Sequence, residues 1–307
     1  MRSAPGLETA VTDESKIARF VDRLGRGVLI GDGAMGTMLE AAGLAPGSCR
    51  ELWNVEHPEK VAAVHRAYAE AGADMIETNT FFGGNRIQLA KWGLADRVAQ
   101  FNEAAVRLAR EAGEDVIVSV SMGPTGEVLA PLGNLEPGRA AEAFREQAEA
   151  AARAGAQAAT VETFFALEEI KLAVEAAVAA GLPVMATMTF EPGGRTMMGV
   201  APADAARALT DHGATVVGAN CGTGPERMLG VAQEMLAATD RPIMVQPNAG
   251  LPRLVGGKTV FPETPEVMAD YAERFAQMGV RIIGGCCGTT PEHIRAIAQR
   301  VKETRQA

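Results

Sequence analysis

Eight short β-branched runs, separated by amphipathic stretches that stop at glycine, constrain this chain more than any other feature of its sequence. The runs are Val28-Leu29-Ile30, Met75-Ile76-Glu77-Thr78, Val116 to Val120, Ala159 to Glu162, Val184 to Thr187, Val216 to Ala219, Ile243 to Val245 and Arg281 to Ile283. Between them, Ala/Glu/Arg-rich segments such as Arg139 to Ala154, Leu167 to Ala180, Ala203 to Asp211 and Glu266 to Gln277 carry apolar residues at helical period. Several close at Gly72, Gly155, Gly181, Gly213 or Gly279 and restart as a strand, because glycine supplies the left-handed residue just past a helix C-terminus. Alternating strands and helices without a polar linker predict an α/β chain folded as a single (β/α)8 TIM barrel. Its 307 residues accommodate the roughly 250 that such a barrel takes. Residues 1–15 read as a flexible N-terminal tail, residues 16–307 as the barrel, and the Gly/Pro-rich Pro247 to Pro265 as a long loop after the seventh strand. In such barrels the loops that follow the strands carry the chemistry.

Composition removes several classes of function. The 29 Lys and Arg against 38 Asp and Glu give a net charge of −9, and no basic run with interleaved aromatics occurs, which argues against a nucleic-acid partner. The N-terminus lacks an apolar leader and no stretch approaches the roughly 18 apolar residues of a membrane span, so no membrane association and a cytoplasmic location are expected. In a reducing compartment the four cysteines are core residues, metal ligands or nucleophiles rather than a disulfide framework.

Three of the four lie in a duplicated motif. Asn220-Cys221-Gly222-Thr223-Gly224-Pro225-Glu226 follows the sixth run and Cys286-Cys287-Gly288-Thr289-Thr290-Pro291-Glu292 follows the eighth. Each places cysteine at a strand end, then a glycine turn, then a cap with Pro at the first helical position. Three thiolates from two strand ends suit Zn²⁺, which is tetrahedral and prefers sulfur, and they leave one position open as in a catalytic site. A single buried cysteine is more often a small core residue, and Cys49 reads that way. A bridge between Cys286 and Cys287 would be strained. The chemistry a three-sulfur zinc suits is activation of a substrate thiol. Two other readings stand beside it: a non-enzymatic zinc-binding protein, and a phosphate-handling barrel, disfavoured because adjacent thiolates repel phosphate.

Gly31-Asp32-Gly33-Ala34-Met35-Gly36-Thr37, Glu77-Thr78-Asn79-Thr80-Phe81, Gly218-Ala219-Asn220-Cys221 and Gly284-Gly285-Cys286-Cys287-Gly288 resemble the homocysteine S-methyltransferase family, in particular the homocysteine-binding module of cobalamin-dependent methionine synthases. The resemblance covers nearly all the chain after its first fifteen residues. It implies the barrel, Cys221, Cys286 and Cys287 as zinc ligands, and transfer of a methyl group to the zinc-bound thiolate of L-homocysteine to give L-methionine. It also implies a donor from outside the chain, either methylcobalamin on a separate corrinoid protein or a small methyl-onium compound such as S-methylmethionine. Flow in the opposite direction, from a methylated substrate to a corrinoid protein, is the alternative, and a homo-oligomer is left open.

Asp32 and Glu162 stand in the family's amino-group positions, and backbone N–H groups of Gly33, Ala34 and Met35 are expected to take the carboxylate. Taken singly, each acid could equally cap a helix or join a rim ion pair. Asn79, Thr80 and Ser121, at the ends of the second and third strands, are expected to line the same mouth. Asn248, after the seventh strand, is expected to lend its oxygen to the vacant zinc position, although Asn between Pro and Gly is commonly a turn former. Phe82 stands where the betaine-using branch of the family carries Tyr, which speaks against betaine as donor. Gly31 to Gly36 also spells G-x-G-x-x-G, but Asp32 would place a carboxylate against a pyrophosphate. The four histidines receive no ligand role.

Overall fold

The structure, a computed structural model, describes residues 13–256 and 258–304. Its strands are β1 (Leu29–Ile30), β2 (Met75–Glu77), β3 (Ile117–Met122), β4 (Ala158–Phe164), β5 (Val184–Met188), β6 (Val216–Cys221), β7 (Ile243–Pro247), β8 (Arg253–Val255), β9 (Lys258–Val260) and β10 (Ile282–Ile283). Strands β8 and β9 form a separate antiparallel hairpin, and the other eight run parallel in the order β1-β10-β7-β6-β5-β4-β3-β2. The ring closes between β1 and β2 through one bridge, Gly31 to Met75. Asp74 completes the seam: its N–H donates to Ile30 O at 2.7 Å and its Oδ2 accepts Ile30 N–H at 2.9 Å. Arg23, from the helix Asp13–Gly25, donates to Asp74 Oδ1 at 3.4 Å and so ties that helix to the seam. The fold is a single (β/α)8 barrel.

Side chains alternate across a strand with period two, and both faces of a parallel barrel are buried. Leu29, Met75, Ile117, Ala158, Met185, Val216, Met244 and Ile282, one from each barrel strand, form one buried cluster with Phe20 and Leu24 of the first helix. The helix therefore plugs the N-terminal end of the barrel. The neighbouring positions on each strand, including Ile30, Ile76, Val118, Ala159, Ala186, Val217, Val245 and Ile283, belong to the larger cluster beneath the outer helices. Two residues beyond the apolar ring, the inward face carries Gly31, Glu77, Ser119, Thr160, Thr187, Gly218, Gln246 and Gly284. The interior thus changes from apolar to polar within one residue pair, toward the strand C-termini.

The expected corners are present: Gly72, Gly155, Gly181, Gly213 and Gly279 all have positive φ, between 75° and 103°. Two expectations meet differences. Helix formation begins at Asp13, inside the stretch read as a tail, while residues 1–12 lie outside the described residues. The stretch Pro247 to Pro265 is not wholly loop, since it contains the β8–β9 hairpin. Arg253, Leu254 and Val255 are all exposed, so a strand without a buried face left no alternating pattern to read. Among the described residues no helix is long and apolar enough to cross a membrane.

Truncating the plug tests this account of the core. Phe20→Ala is expected to cost about 3 kcal/mol of stability in chemical denaturation, because Phe20 is 3% exposed and faces the eight-strand ring.

Candidate functional site

The three motif cysteines converge. Strand β6 ends at Cys221, and β10 leads through Gly284-Gly285 into Cys286 and Cys287. The Sγ atoms all lie within 4.8 Å of one another, the one such cluster of possible metal ligands among the described residues. The backbone holds them there: Cys286 N–H donates to Pro247 O at 2.9 Å, and Cys287 N–H donates to Asn248 Oδ1 at 3.0 Å. Cys221 takes φ 59° and Gly222 φ 56°, so a non-glycine residue is held left-handed at a cost of about 1–3 kcal/mol. Gly222 cannot carry a side chain, since a Cβ would lie 2.5 Å from Phe190 O.

Without a cation the three thiols cannot all ionise. Hydrogen bonds from Cys286 and Cys287 pull Cys221 down to about 3. The resulting thiolate pushes Cys287 up to about 12 and raises Cys286 as well. A soft divalent cation removes that conflict, because it can be held by three thiolates at once. The donor set therefore fits zinc. Cys49 lies apart, buried with its thiol 3.5 Å from Glu51 Oε2, and burial pushes it up to about 12.

The thiols share a cavity of about 260 Å³ with Asp32, Glu77 and Glu162. Asp32 and Glu162 are buried and Glu77 is half-buried. Desolvation raises Asp32 and Glu77 well above the carboxylate range, with the charge of Glu162 adding to both and that of Asp32 adding to Glu77. Glu162 rises to about 7, again chiefly through burial. Ser121 Oγ donates to Glu162 Oε1 at 2.6 Å and Asn220 Nδ2 to Oε2 at 3.1 Å. Asn220 also accepts Thr163 N–H and the Thr187 hydroxyl, each at 2.9 Å, on its Oδ1. Thr163 has φ 65° at an irregularity in the β4–β5 pairing, where such a bulge re-aims the side chain beside it. Asp32 Oδ2 accepts Glu77 N–H at 2.9 Å and Gln246 Nε2 donates to Glu77 Oε1 at 3.1 Å. Asp32 Oδ1 and Gln246 Oε1 are buried with no partner. Two orphaned acceptors beside excess negative charge are complementary to a cation that donates several hydrogen bonds, such as an ammonium group.

The other expected residues divide. Gly33, Ala34, Met35, Asn79 and Ser121 line the cavity with Asp32 and Glu162. Ala34 N–H is committed, donating to Thr289 Oγ1 at 3.1 Å, and Tyr68 OH donates to Ala34 O at 2.9 Å. Asn79 turns away from the sulfurs, with Nδ2 donating to Arg50 O at 2.9 Å and Asn54 Oδ1 at 3.0 Å. Thr80 is fully buried, and its hydroxyl meets Ser121 O and Thr78 Oγ1 at 2.7 Å, tying the ends of β2 and β3. The Oδ1 of Asn248 is occupied by Cys287 N–H, and its Nδ2 reaches Gly222 O at 3.5 Å. His293 bonds Thr290 N–H and Glu263 O, and His65 is enclosed in the core.

The family model for homocysteine S-methyltransferase matches residues 29–301. The chain belongs to the homocysteine S-methyltransferase family. It is a methyltransferase of that class. The methionine synthase of Mycobacterium tuberculosis is 36% identical to it, over 94% of this chain and 26% of that protein. The Mycobacterium leprae methionine synthase is 34% identical, over 95% and 26%. The chain thus spans about a quarter of the length of these relatives. The homocysteine methyltransferase MmuM from Escherichia coli, solved in a metallated form, superposes with a TM-score of 0.76 at 25% identity, covering 93% of this chain and 99% of that one. Its oxidised form gives 0.73 at 28% identity.

Within this homocysteine S-methyltransferase barrel, sequence reasoning passed over Glu77, Gln246, Asn220 and Arg50 as lining or positioning residues. The signal for the first two was available, since each lies two residues past an inward apolar position of its strand.

The raised carboxylates set a pH dependence. Glu162 keeps its proton to about 7 when folded against 4.5 ordinarily, so between these values the folded state binds more protons and stability falls as pH rises. Relative to Glu162→Gln, the ligand-free wild type is expected to lose roughly 3 kcal/mol across that window, read from denaturation midpoints at pH 4 and pH 8.

Proposed function

We propose that this enzyme methylates the sulfur of L-homocysteine to give L-methionine, with Cys221, Cys286 and Cys287 holding a zinc ion. The observation that carries the reading is one cavity in which three convergent thiols sit with an orphaned, buried carboxylate oxygen on Asp32. A zwitterionic thiol has a group for each. When bound, zinc supplies the Lewis acidity that lets a substrate thiol lose its proton at neutral pH.

The protein's own residues bind and orient. Asp32 and Glu162 take the ammonium group, relieving the desolvation that raises both carboxyls. Ser121 and Asn220 hold Glu162 in one orientation from two sides. The turn at Gly33 to Met35 faces the carboxylate end, with Ala34 N–H already spent on Thr289. Asn248 fixes the Cys287 backbone. With the amino acid fixed, a sulfur lone pair forms the new S–C bond while the bond from that carbon to the donor breaks in line, and the donor leaves with the electron pair.

Methylcobalamin on a separate corrinoid protein is the donor this surface favours. Val128, Leu132, Met197, Met198, Leu251 and Leu254 are exposed apolar side chains in the loops that follow β3, β5 and β7 and in the β8–β9 hairpin, on the face where the cavity opens. An apolar rim of this kind suits a macromolecular carrier. A small methyl-onium donor is the second reading, favoured by the cavity's carboxylates, which attract a cation.

Zinc-edge X-ray absorption is expected to count three sulfur neighbours in the purified protein and four after L-homocysteine is added. A count that ignores homocysteine overturns the reading. Asp32→Asn is expected to raise KM for homocysteine about tenfold, equivalent to roughly 1.4 kcal/mol, while the resting sulfur count stays at three. Methionine formation with methylcobalamin-loaded carrier but not with S-methylmethionine selects the first donor, and the converse selects the second.

A further inference from the structure

The charged lining of the cavity is strongly biased in sign. Asp32, Glu51, Glu77 and Glu162 are acids, and Arg50 is the single base among the described residues that line it. The base is built in rather than incidental. Arg50 opens the short turn Arg50–Leu52, and its backbone carbonyl accepts Asn79 Nδ2 at 2.9 Å. Its neighbour Glu51 is buried and accepts Phe82 N–H at 2.9 Å, which brings the Phe82 ring to 4.9 Å from the guanidinium carbon. On its other side the guanidinium lies against Gly36, where a Cβ would overlap it. Nη2 reaches Glu40 Oε1 at 3.2 Å, a partly exposed pair that tethers the side chain weakly.

We infer that Arg50 is a specificity-determining residue that takes the α-carboxylate of the amino-acid substrate. The assignment rests on the homocysteine reading and deepens it. Once Asp32 and Glu162 ionise around the ammonium group, the substrate carboxylate beside them needs a cation facing it, and guanidinium offers charge-assisted, bidentate hydrogen bonds that backbone N–H groups do not match. The turn at Gly33 to Met35 has lost one of its three donors to Thr289, so that turn alone is an incomplete receptor. Packing between an aromatic face and a bare glycine holds the guanidinium in place before the ligand arrives, which lowers the cost of binding. The cavity then holds its substrate at three points: ammonium at Asp32 and Glu162, sulfur at the cysteines, carboxylate at Arg50. Three points that are not in line distinguish the two hands of the α-carbon.

Two thiols separate the roles: L-homocysteine, and 3-aminopropanethiol, which keeps the ammonium and the thiol and lacks the carboxylate. Arg50→Gln is expected to raise KM for L-homocysteine by at least about tenfold with kcat changed by less than about threefold. The same variant is expected to leave KM for 3-aminopropanethiol unchanged and to shrink the preference for L- over D-homocysteine. Arg50→Lys, which keeps the charge without the fork, is expected to fall between wild type and Arg50→Gln. Equal losses on both thiols, or none on either, overturn the assignment while leaving the homocysteine reading intact. A wild-type protein that methylates neither thiol with either class of donor overturns the homocysteine reading and Arg50's role with it.

Discussion

Burial of both strand faces is the constraint on which everything else in this molecule depends. An inward side chain in a closed parallel barrel has two choices: it packs against other apolar groups, or it finds a polar partner inside. At the plugged end, Leu29, Met75 and their six counterparts pack. Toward the other end the inward groups pair among themselves: Ser119 with Thr160, Thr187 with Asn220, Ser121 with Glu162, Gln246 with Glu77. The pairing does not come out even. Asp32 Oδ1 and Gln246 Oε1 remain over, and the leftover acceptors mark where a ligand belongs.

The same place concentrates like charge. Four carboxyls and three thiols line the cavity, and they cannot all ionise together, since an ionised Cys221 raises Cys286 and Cys287 and buried Asp32 and Glu162 raise Glu77. Such a site is poorly solvated and poorly neutralised by the protein alone, since Arg50 is the one base lining it. The proposed ligands, a metal at the sulfurs and an ammonium at the carboxylates, would complete its electrostatics from outside. Strain points the same way: Cys221 and Thr163, the two non-glycine residues with positive φ among the described residues, both lie at this site. Stability given up at those positions is the counterpart of ligand recognition.

How far the sequence could be read follows from where information is stored. The strands, the glycine corners and the cysteine pair were legible because each is local: a short β-branched run, a left-handed residue after a helix, a duplicated motif. Asp32 and Glu162 were legible as acids at strand ends, and the resemblance to a known family joined them. The β8–β9 hairpin was not legible, because Leu254 and Val255 are both exposed and alternate with nothing buried. Arg50 was not legible either, since it belongs to a short turn between strands. What brings it to the cavity is Asn79, Glu51 and Phe82, residues about thirty positions away or linked only through that contact. Asn79 was expected as a lining residue, and the structure gives its side chain a second job that no spacing encodes, holding Arg50's backbone.

The plug formed by Phe20 and Leu24 has a consequence for traffic. With the far end filled by side chains from all eight strands, the cavity is a cul-de-sac. The sulfurs and the carboxylates lie within it, and whatever reaches them must pass the same rim that a second reactant would cover. On the proposed reading, with a macromolecular donor covering the rim, the amino acid would have to arrive before the rim is occupied, and its product would depart only after the rim is cleared. A single door turns a two-substrate site into a queue, and the helix at the opposite end of the barrel, far from any reacting atom, is what closed the other exit.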